Sequence, residues 1–209
     1  MAKRMKLFGK HCAGMLAILA FPGMVTCADI TLPPPQTKGG QGIFTLLKSR
    51  HSSTPADFPL KNISAQELSS LLWAATGQNR SPRGWTIPLA MNTAPYNKIY
   101  VLDDSGVYRY HWKQNRLIRI SDKNIKNGIS PQNIVGKSPV VLVFVSGSNI
   151  KKEYVYTTTG AMTQNIYLAA ESMGIGGRFV MTMNEKAIRE GLKLKTGEYP
   201  LNLMLIGKK

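Results

Sequence analysis

The residues with the clearest chemistry form a short run at 46–54 that reads Leu-Leu-Lys-Ser-Arg-His-Ser-Ser-Thr. Cations and hydroxyl groups are concentrated there, and no acidic residue follows before Asp57. A guanidinium such as that of Arg50 binds phosphate through two parallel hydrogen bonds, and hydroxyls satisfy the remaining oxygens. The run therefore fits an anion with several oxygens. A solvated basic helix end is the alternative interpretation of the same residues.

The elements around this run follow from local signals. The apolar residues 43–47 predict a helix that ends at the run, and Thr54 before Pro55 turns the chain away because a residue preceding proline avoids helical angles. Ser64 and Glu67 form a capping box, so a helix is predicted over 65–76, ended by Gly77. Residues 78–97 are predicted to be a long loop, which is typical of functional segments.

The remaining pattern alternates strands and helices. Strands are predicted at 98–102, 107–110, 115–120, 178–183 and 201–206, and helices at 163–173 and 185–194. The continuous apolar run 139–145 predicts a central strand buried on both faces. Together with a length of 209 residues, this order indicates one α+β domain, with helices packed against a sheet.

Four motifs in order resemble those of the nitroreductase-like flavoproteins. Arg50-His51-Ser52 resembles their R-[RH]-S entry motif, and residues 64–80 resemble a helix of the branch that includes azoline-oxidising (thiazole/oxazole) dehydrogenases. Residues 86–92 are similar to the family's T-x-P-S-A-x-N flavin loop, and 160–168 to its G-x-x-x-Q-N-x-x-L helix. The resemblance implies a mixed or antiparallel sheet flanked by helices, a homodimer, and FMN as cofactor.

The same resemblance implies which residues hold FMN. Its phosphate would be bound by the entry motif together with a basic residue at the C-terminus, the ring and ribityl by the flavin loop, and the reactive nitrogen would lie near a later backbone segment. The candidate cofactor-binding residues are accordingly Arg50, His51, Ser52, Thr54, Pro88, Leu89, Ala90, Asn92, Met181, Thr182 and Lys208, with Lys209 as the alternative at the C-terminus.

Three positions depart from the family pattern. Thr54 stands where a second basic residue is frequent, Trp85 where the branch has arginine, and Leu89 where the flavin loop has serine. Two hypotheses follow. The first is an FMN-dependent oxidoreductase that transfers a hydride to or from a small organic substrate, and the second is a non-catalytic binding protein with a decayed flavin site.

Other chemistry has little support in the sequence. After residue 28 the chain has two histidines and no cysteine, so neither a metal site nor a hydrolytic triad is expected. The glycines at 174–177 follow a predicted helix and lack the spacing of a dinucleotide fingerprint. No nucleic-acid-binding motif is present, so positive charge predicts only a weak attraction to anionic surfaces.

Residues 1–28 are predicted to be a secretory signal peptide, in which four cations precede an apolar run and cleavage falls before Asp29. A lipoprotein anchored through Cys27 is the less favoured alternative, because the preceding Met-Val-Thr fits a lipobox poorly. The mature chain, with 23 basic and 11 acidic residues and a net charge of +12, is expected to be periplasmic or secreted. Residues 29–42 are predicted to form an extended arm, either wrapped over a partner subunit or flexible, before an FMN-binding domain at 43–209.

Overall fold

The computed structural model describes residues 28–90 and 93–209. Apart from Ala28, the predicted signal peptide lies outside the described residues, as do Cys27 and the candidate flavin contact Asn92. The four α-helices are α1 (Ile43–Ser49), α2 (Ala65–Thr76), α3 (Lys152–Ser172) and α4 (Glu185–Gly191). The seven strands are β1 (Ile30–Thr31), β2 (Lys98–Asp103), β3 (Gly106–His111), β4 (Arg116–Ser121), β5 (Val140–Val145), β6 (Ile175–Val180) and β7 (Pro200–Lys208).

One sheet joins the strands in the order β1-β4-β3-β2-β5-β7-β6, with every neighbouring pair antiparallel. The predicted α+β class with helices on the sheet is therefore confirmed. None of the described helices is long and apolar enough to cross a membrane.

Strand β5 lies inside the sheet, between β2 and β7, and contributes side chains to a core on each face. Val140, Leu142 and Phe144 face the core shared with α2 and α3, while the alternate residues 141, 143 and 145 face the core shared with α4. Successive side chains of a strand point to opposite faces, so a strand covered on both sides must be apolar throughout. The predicted doubly buried strand is confirmed.

The second helix begins as predicted. The backbone N–H of Glu67 donates to Ser64 Oγ (3.2 Å), and the N–H of Ser64 donates to the Glu67 carboxylate (2.7 Å). The other Glu67 oxygen forms an ion pair with Lys208 Nζ (2.8 Å), which ties the helix start to the end of β7. Partial burial opposes ionisation, but the Lys208 and Ser64 hydrogen bonds outweigh it and lower the pKa of Glu67.

Helix α3 begins at Lys152, eleven residues before the predicted start. The missed part contains the run Thr157-Thr158-Thr159, and β-branched residues have low helix propensity. Tertiary contacts overcome that preference. Thr159 Oγ1 donates to the carbonyl of Val155 (2.7 Å), and Asn97 Nδ2 from the long loop donates to both residues.

The N-terminal arm lies on its own chain. Its strand β1 pairs with β4, and the carbonyl of Pro33 accepts hydrogen bonds from Ser69 Oγ (2.6 Å) and Asn115 Nδ2 (2.9 Å). Over residues 30–33 the arm therefore packs on α2 and β4 of its own chain.

Substitutions of Glu67 test the link between α2 and β7. Glu67→Gln keeps an acceptor for the Ser64 N–H but removes the charge that pairs with Lys208, so we expect a loss of under about 1 kcal/mol in the free energy of unfolding at neutral pH. Glu67→Ala removes both contacts and should cost about 1–2 kcal/mol. Urea denaturation at fixed protein concentration measures both differences.

The ion pair of Glu67 with Lys208 also makes the free energy of unfolding depend on pH. A carboxyl with a lowered pKa contributes stability above its unfolded value, ordinarily 4.5, and loses that contribution as the pH falls through the folded value. The difference between wild type and Glu67→Gln should therefore shrink in acid. A difference that grows as the pH falls would contradict the ion pair.

Candidate anion and flavin site

The entry run lies along the free edge of the sheet. The backbone N–H of Ser53 donates to the carbonyl of Gly177 on β6 (2.8 Å), and Arg178 Nη1 donates back to the carbonyl of Ser53 (2.8 Å). These bonds fix the chain immediately after α1, whose last turn ends where the N–H of Arg50 donates to the carbonyl of Leu46 (2.8 Å). Helix α1 and strand β6 together therefore set the position of the run.

Gly176 allows the close approach. A Cβ atom built on this residue would lie 2.7 Å from Ser53 Oγ, 3.2 Å from the carbonyl of Gly207 and 3.4 Å from Lys209 Cε. Three segments distant in sequence meet at this point only because the residue has no side chain. We call the resulting group the cationic cradle, which consists of Arg50, His51, Ser52, Ser53, Arg178 and Lys209.

The cradle carries an excess of positive charge. Its two arginines and Lys209 are cations, and the Lys209 ammonium also contacts Nε2 of His51. Two carboxylates border the group. Glu171 lies 4.0 Å from His51 Nδ1, and Asp57 bonds the backbone N–H (2.5 Å) and hydroxyl (3.0 Å) of Thr54. Those Thr54 hydrogen bonds, with smaller contributions from Lys209 and His51, lower the pKa of Asp57.

Buried polar atoms in the cradle fit an anionic ligand. Among the described residues, Ser53 Oγ is fully buried without a hydrogen-bond partner, and Arg178 Nε is likewise buried and unpaired. Buried donors are nearly always satisfied in folded proteins, so such atoms next to a cluster of cations are typical of a ligand site. The donor set, with guanidinium, ammonium and hydroxyl groups, suits a phosphate.

The other candidate residues lie in different places. Lys208 is ion-paired with Glu67, so Lys209 is the basic residue that the structure brings to the cradle. Met181 is 55% exposed just beyond β6, and the carbonyl of Thr182 accepts a hydrogen bond from Ser130 Oγ (2.7 Å). The hydroxyl and N–H of Thr54 are engaged by Asp57 rather than facing the cradle with the serines.

The flavin-loop residues are held by α3. Asn165 Nδ2 donates to the carbonyls of Thr86 (2.9 Å) and Ala74 (3.1 Å), which fixes the start of the loop. Leu89 packs against the core that the sheet shares with α2 and α3. Pro88 is exposed and Ala90 is half-buried. Within residues 28–90 and 93–209, no hydrogen bond joins Pro88–Ala90 to the cradle.

Comparison with known proteins decides the family. The model of the nitroreductase family matches residues 47–208, nearly the whole of the predicted domain. The chain belongs to the nitroreductase family. A protein of Methanocaldococcus jannaschii described as a nitroreductase is 31% identical over 182 residues, which cover 78% of this chain and 89% of that protein.

Solved structures agree with this assignment. The crystal structure of a protein from Ralstonia eutropha JMP134, also described as a nitroreductase, superposes with a TM-score of 0.78 at 29% identity, over 86% of this chain and 89% of the other. The Escherichia coli microcin synthetase complex, solved with a truncated pro-microcin bound, gives a TM-score of 0.64 over 96% of this chain and 84% of the other. Its identity of 16% shows the fold alone. The predicted nitroreductase-like fold is therefore confirmed.

Two residues of this nitroreductase-family site were missed from the sequence. Arg178 enters the cradle because β6 begins at Ile175 rather than at 178, so the glycines and the arginine share one strand. Tyr167 lies beneath Arg50 and Ser52, within the family's G-x-x-x-Q-N-x-x-L helix but at one of its variable positions. The sequence offered only one signal for Arg178, its position after the glycines at 174, 176 and 177. That position indicates a site only when the register of the strand is known.

Proposed function

We propose that this member of the nitroreductase family is an exported FMN-dependent oxidoreductase that transfers a hydride to or from a small organic substrate. The observation that carries the proposal is the gathering of cations and hydroxyls around the entry run. Ser53 and Lys209 meet at Gly176, Arg178 bonds the carbonyl of Ser53, and the neighbouring Arg50 and Ser52 contact Tyr167. Bound FMN supplies the redox centre in such an enzyme, while the protein binds and orients it.

Each residue of the cradle has its own proposed part in binding the phosphate of FMN. Arg50 and Ser52 would bind the phosphate, with Lys209 and Arg178 adding charge and His51 bordering the group. Charge-assisted hydrogen bonds contribute about 1.5–3 kcal/mol each, so several such contacts anchor a phosphorylated ligand well beyond the attraction of exposed lysines. The neighbouring carboxylates of Asp57 and Glu171 lower the net positive charge of the cradle.

The alternative is a non-catalytic binding protein on the same fold. It is motivated by Thr54, which stands where relatives often have a basic residue and is bonded instead to Asp57. The two functions differ in turnover. Anaerobic addition of a reduced nicotinamide, followed by a nitroaromatic acceptor, should bleach and then restore the visible absorbance of bound flavin in an enzyme. Flavin that binds but never cycles supports the alternative.

A homodimer is the second part of the proposal. In the part of the chain that the structure describes, no hydrogen bond joins the flavin loop to the cradle. Helix α1 beside the cradle exposes Ile43, Phe44 and Leu47, with Phe44 84% exposed. Exposed apolar groups of this size mark interaction surfaces. A second copy that covers α1 and brings its own flavin loop to the cradle would complete the site.

Export is the third part. The proposed mature chain begins at Asp29, whose carboxylate pairs with Arg116 and accepts the N–H of Arg119 (3.0 Å), so cleavage before this residue leaves the arm attached to β4. N-terminal sequencing of protein exported by the native host should find Asp29. A lipid on Cys27 or an uncut chain would refute this part.

The phosphate role of Arg50 predicts a strong and selective effect on flavin binding. Arg50→Ala removes a charge-assisted contact and should weaken FMN binding by about 2–4 kcal/mol, or roughly 30- to 1000-fold. Lys48→Ala removes an exposed charge of the preceding helix and should cost well under about 1 kcal/mol. Fluorescence titration of FMN measures both, with folding checked by circular dichroism.

Arg50→Lys refines the comparison, because it keeps the charge but loses the planar fork, and it should fall between wild type and Arg50→Ala. Equal losses in the Lys48 and Arg50 variants would reject the phosphate role. Failure of wild type to bind FMN would reject the proposed cofactor itself.

The exposed face of α1 predicts the oligomeric state. Wild type should be a dimer at micromolar concentration by light scattering, and Phe44→Asp should shift it to monomer because a carboxylate cannot be buried unpaired at an apolar interface. Lys38→Asp, a charge change on the exposed arm, is the control. A monomeric wild type, or a dimer that tolerates Phe44→Asp, would contradict the interface.

A further inference from the structure

Tyr167 lies directly beneath the ligand-facing part of the cradle. Its ring belongs to the core that the sheet shares with α2 and α3, and the residue is 8% exposed. Its hydroxyl reaches the edge of that core at Ser52. Ser52 itself is exposed, so the tyrosine lies between the apolar interior and a serine that is open to solvent.

The hydroxyl of Tyr167 has two hydrogen-bond partners, and one of them can only donate. The backbone N–H of Phe179 on β6 donates to Tyr167 Oη (2.8 Å), and Ser52 Oγ lies 2.8 Å from the same oxygen. Because an amide N–H can only donate, the tyrosine oxygen acts as acceptor there and its own proton is free to point to Ser52. When Tyr167 donates to Ser52, the serine proton is left for an external acceptor.

An anion above Ser52 favours the arrangement in which each hydrogen bond of this series donates toward the anion. Each donor in a connected series polarises the next, so the order Phe179 N–H, Tyr167 O–H, Ser52 O–H strengthens the last bond when its acceptor is negative. The chain starts at the sheet edge and ends at the surface of the cradle.

The ring of Tyr167 holds a second group of the cradle. The guanidinium carbon of Arg50 lies 4.8 Å from the ring centroid, a cation–π contact that restricts the arginine to one side of the site. One buried side chain thus orients both the serine and the arginine expected to bind phosphate.

We propose that Tyr167 is a positioning residue that organises the cradle for a phosphate group through its hydroxyl chain to Ser52. The inference rests on the proposed function and deepens it, because it makes the phosphate, and not the flavin ring, the part of FMN that depends on this tyrosine. Arg50 stays in place when only the hydroxyl is removed, so the two contributions of Tyr167 are separable.

Binding of FMN and of riboflavin, which lacks the phosphate, tests the proposal. Tyr167→Phe keeps the ring under Arg50 and removes the hydroxyl, so FMN affinity should fall about 5- to 15-fold while riboflavin affinity stays within about 2-fold of wild type. Tyr156→Phe is the matched control, since Tyr156 lies on the same helix and is 48% exposed. It should change neither affinity.

A double-mutant cycle tests the route of the effect. If Tyr167 acts through Ser52, then Ser52→Ala should weaken FMN binding and adding Tyr167→Phe should cost less than about 2-fold more. Independent losses that multiply would overturn the hydroxyl chain. A loss of riboflavin affinity equal to that of FMN would show a purely structural role and also overturn it.

Failure of the inference and failure of the proposed function are distinguishable. FMN binding that is equal in wild type and Tyr167→Phe rejects the inference and leaves the cofactor intact. If wild type binds no FMN, the proposed function fails, and inorganic phosphate becomes the probe. A larger rise in unfolding temperature with phosphate for wild type than for Tyr167→Phe supports the inference, and equal or absent rises overturn it.

Discussion

The candidate site assembles only because residue 176 is a glycine, which has no Cβ atom. At Gly176 a Cβ atom would collide with Ser53 Oγ and with the carbonyl of Gly207, so any larger residue would push the entry run off the sheet edge. With glycine there, the N–H of Ser53 bonds the carbonyl of Gly177, Arg178 Nη1 bonds the carbonyl of Ser53, and Lys209 lies close by. Residues separated by more than one hundred positions in the chain therefore share one small volume.

The electrostatics of this volume differ from the general positive charge of the chain. Exposed lysines attract anions weakly and are screened within about a Debye length, roughly 8 Å at physiological salt. The cradle instead combines a guanidinium stacked on an aromatic ring, a buried serine hydroxyl and a lysine, with two carboxylates at its border. Such an arrangement selects the shape and charge of an anion, which is what binding a phosphorylated cofactor requires.

The helices connect this site to the rest of the domain. Helix α3 reaches both ends of the proposed chemistry, since Asn165 fixes the flavin loop and Tyr167, two residues later, supports the cradle. Glu67 at the start of α2 engages Lys208, and this leaves Lys209 for the cradle. The arm packs on β4 and α2 of its own chain, so it braces the same helix from the other side.

The sequence by itself determined the local features and the family. The capping box at Ser64, the doubly buried β5 and the pattern within each motif depend on residues close together in the chain. The capping box, the strand and the family are confirmed. It could not determine which terminal lysine meets the entry run, because consecutive residues at a strand end point to opposite sides and the choice depends on the register of β7 with its neighbours. Arg178 was missed because its place depends on the register of β6, and Tyr167 because a helical pattern does not show which residue meets the entry run. The early start of α3 was missed because buried threonines found partners in a distant loop. These features depend on contacts between segments far apart in sequence, and only the tertiary structure brings those segments together.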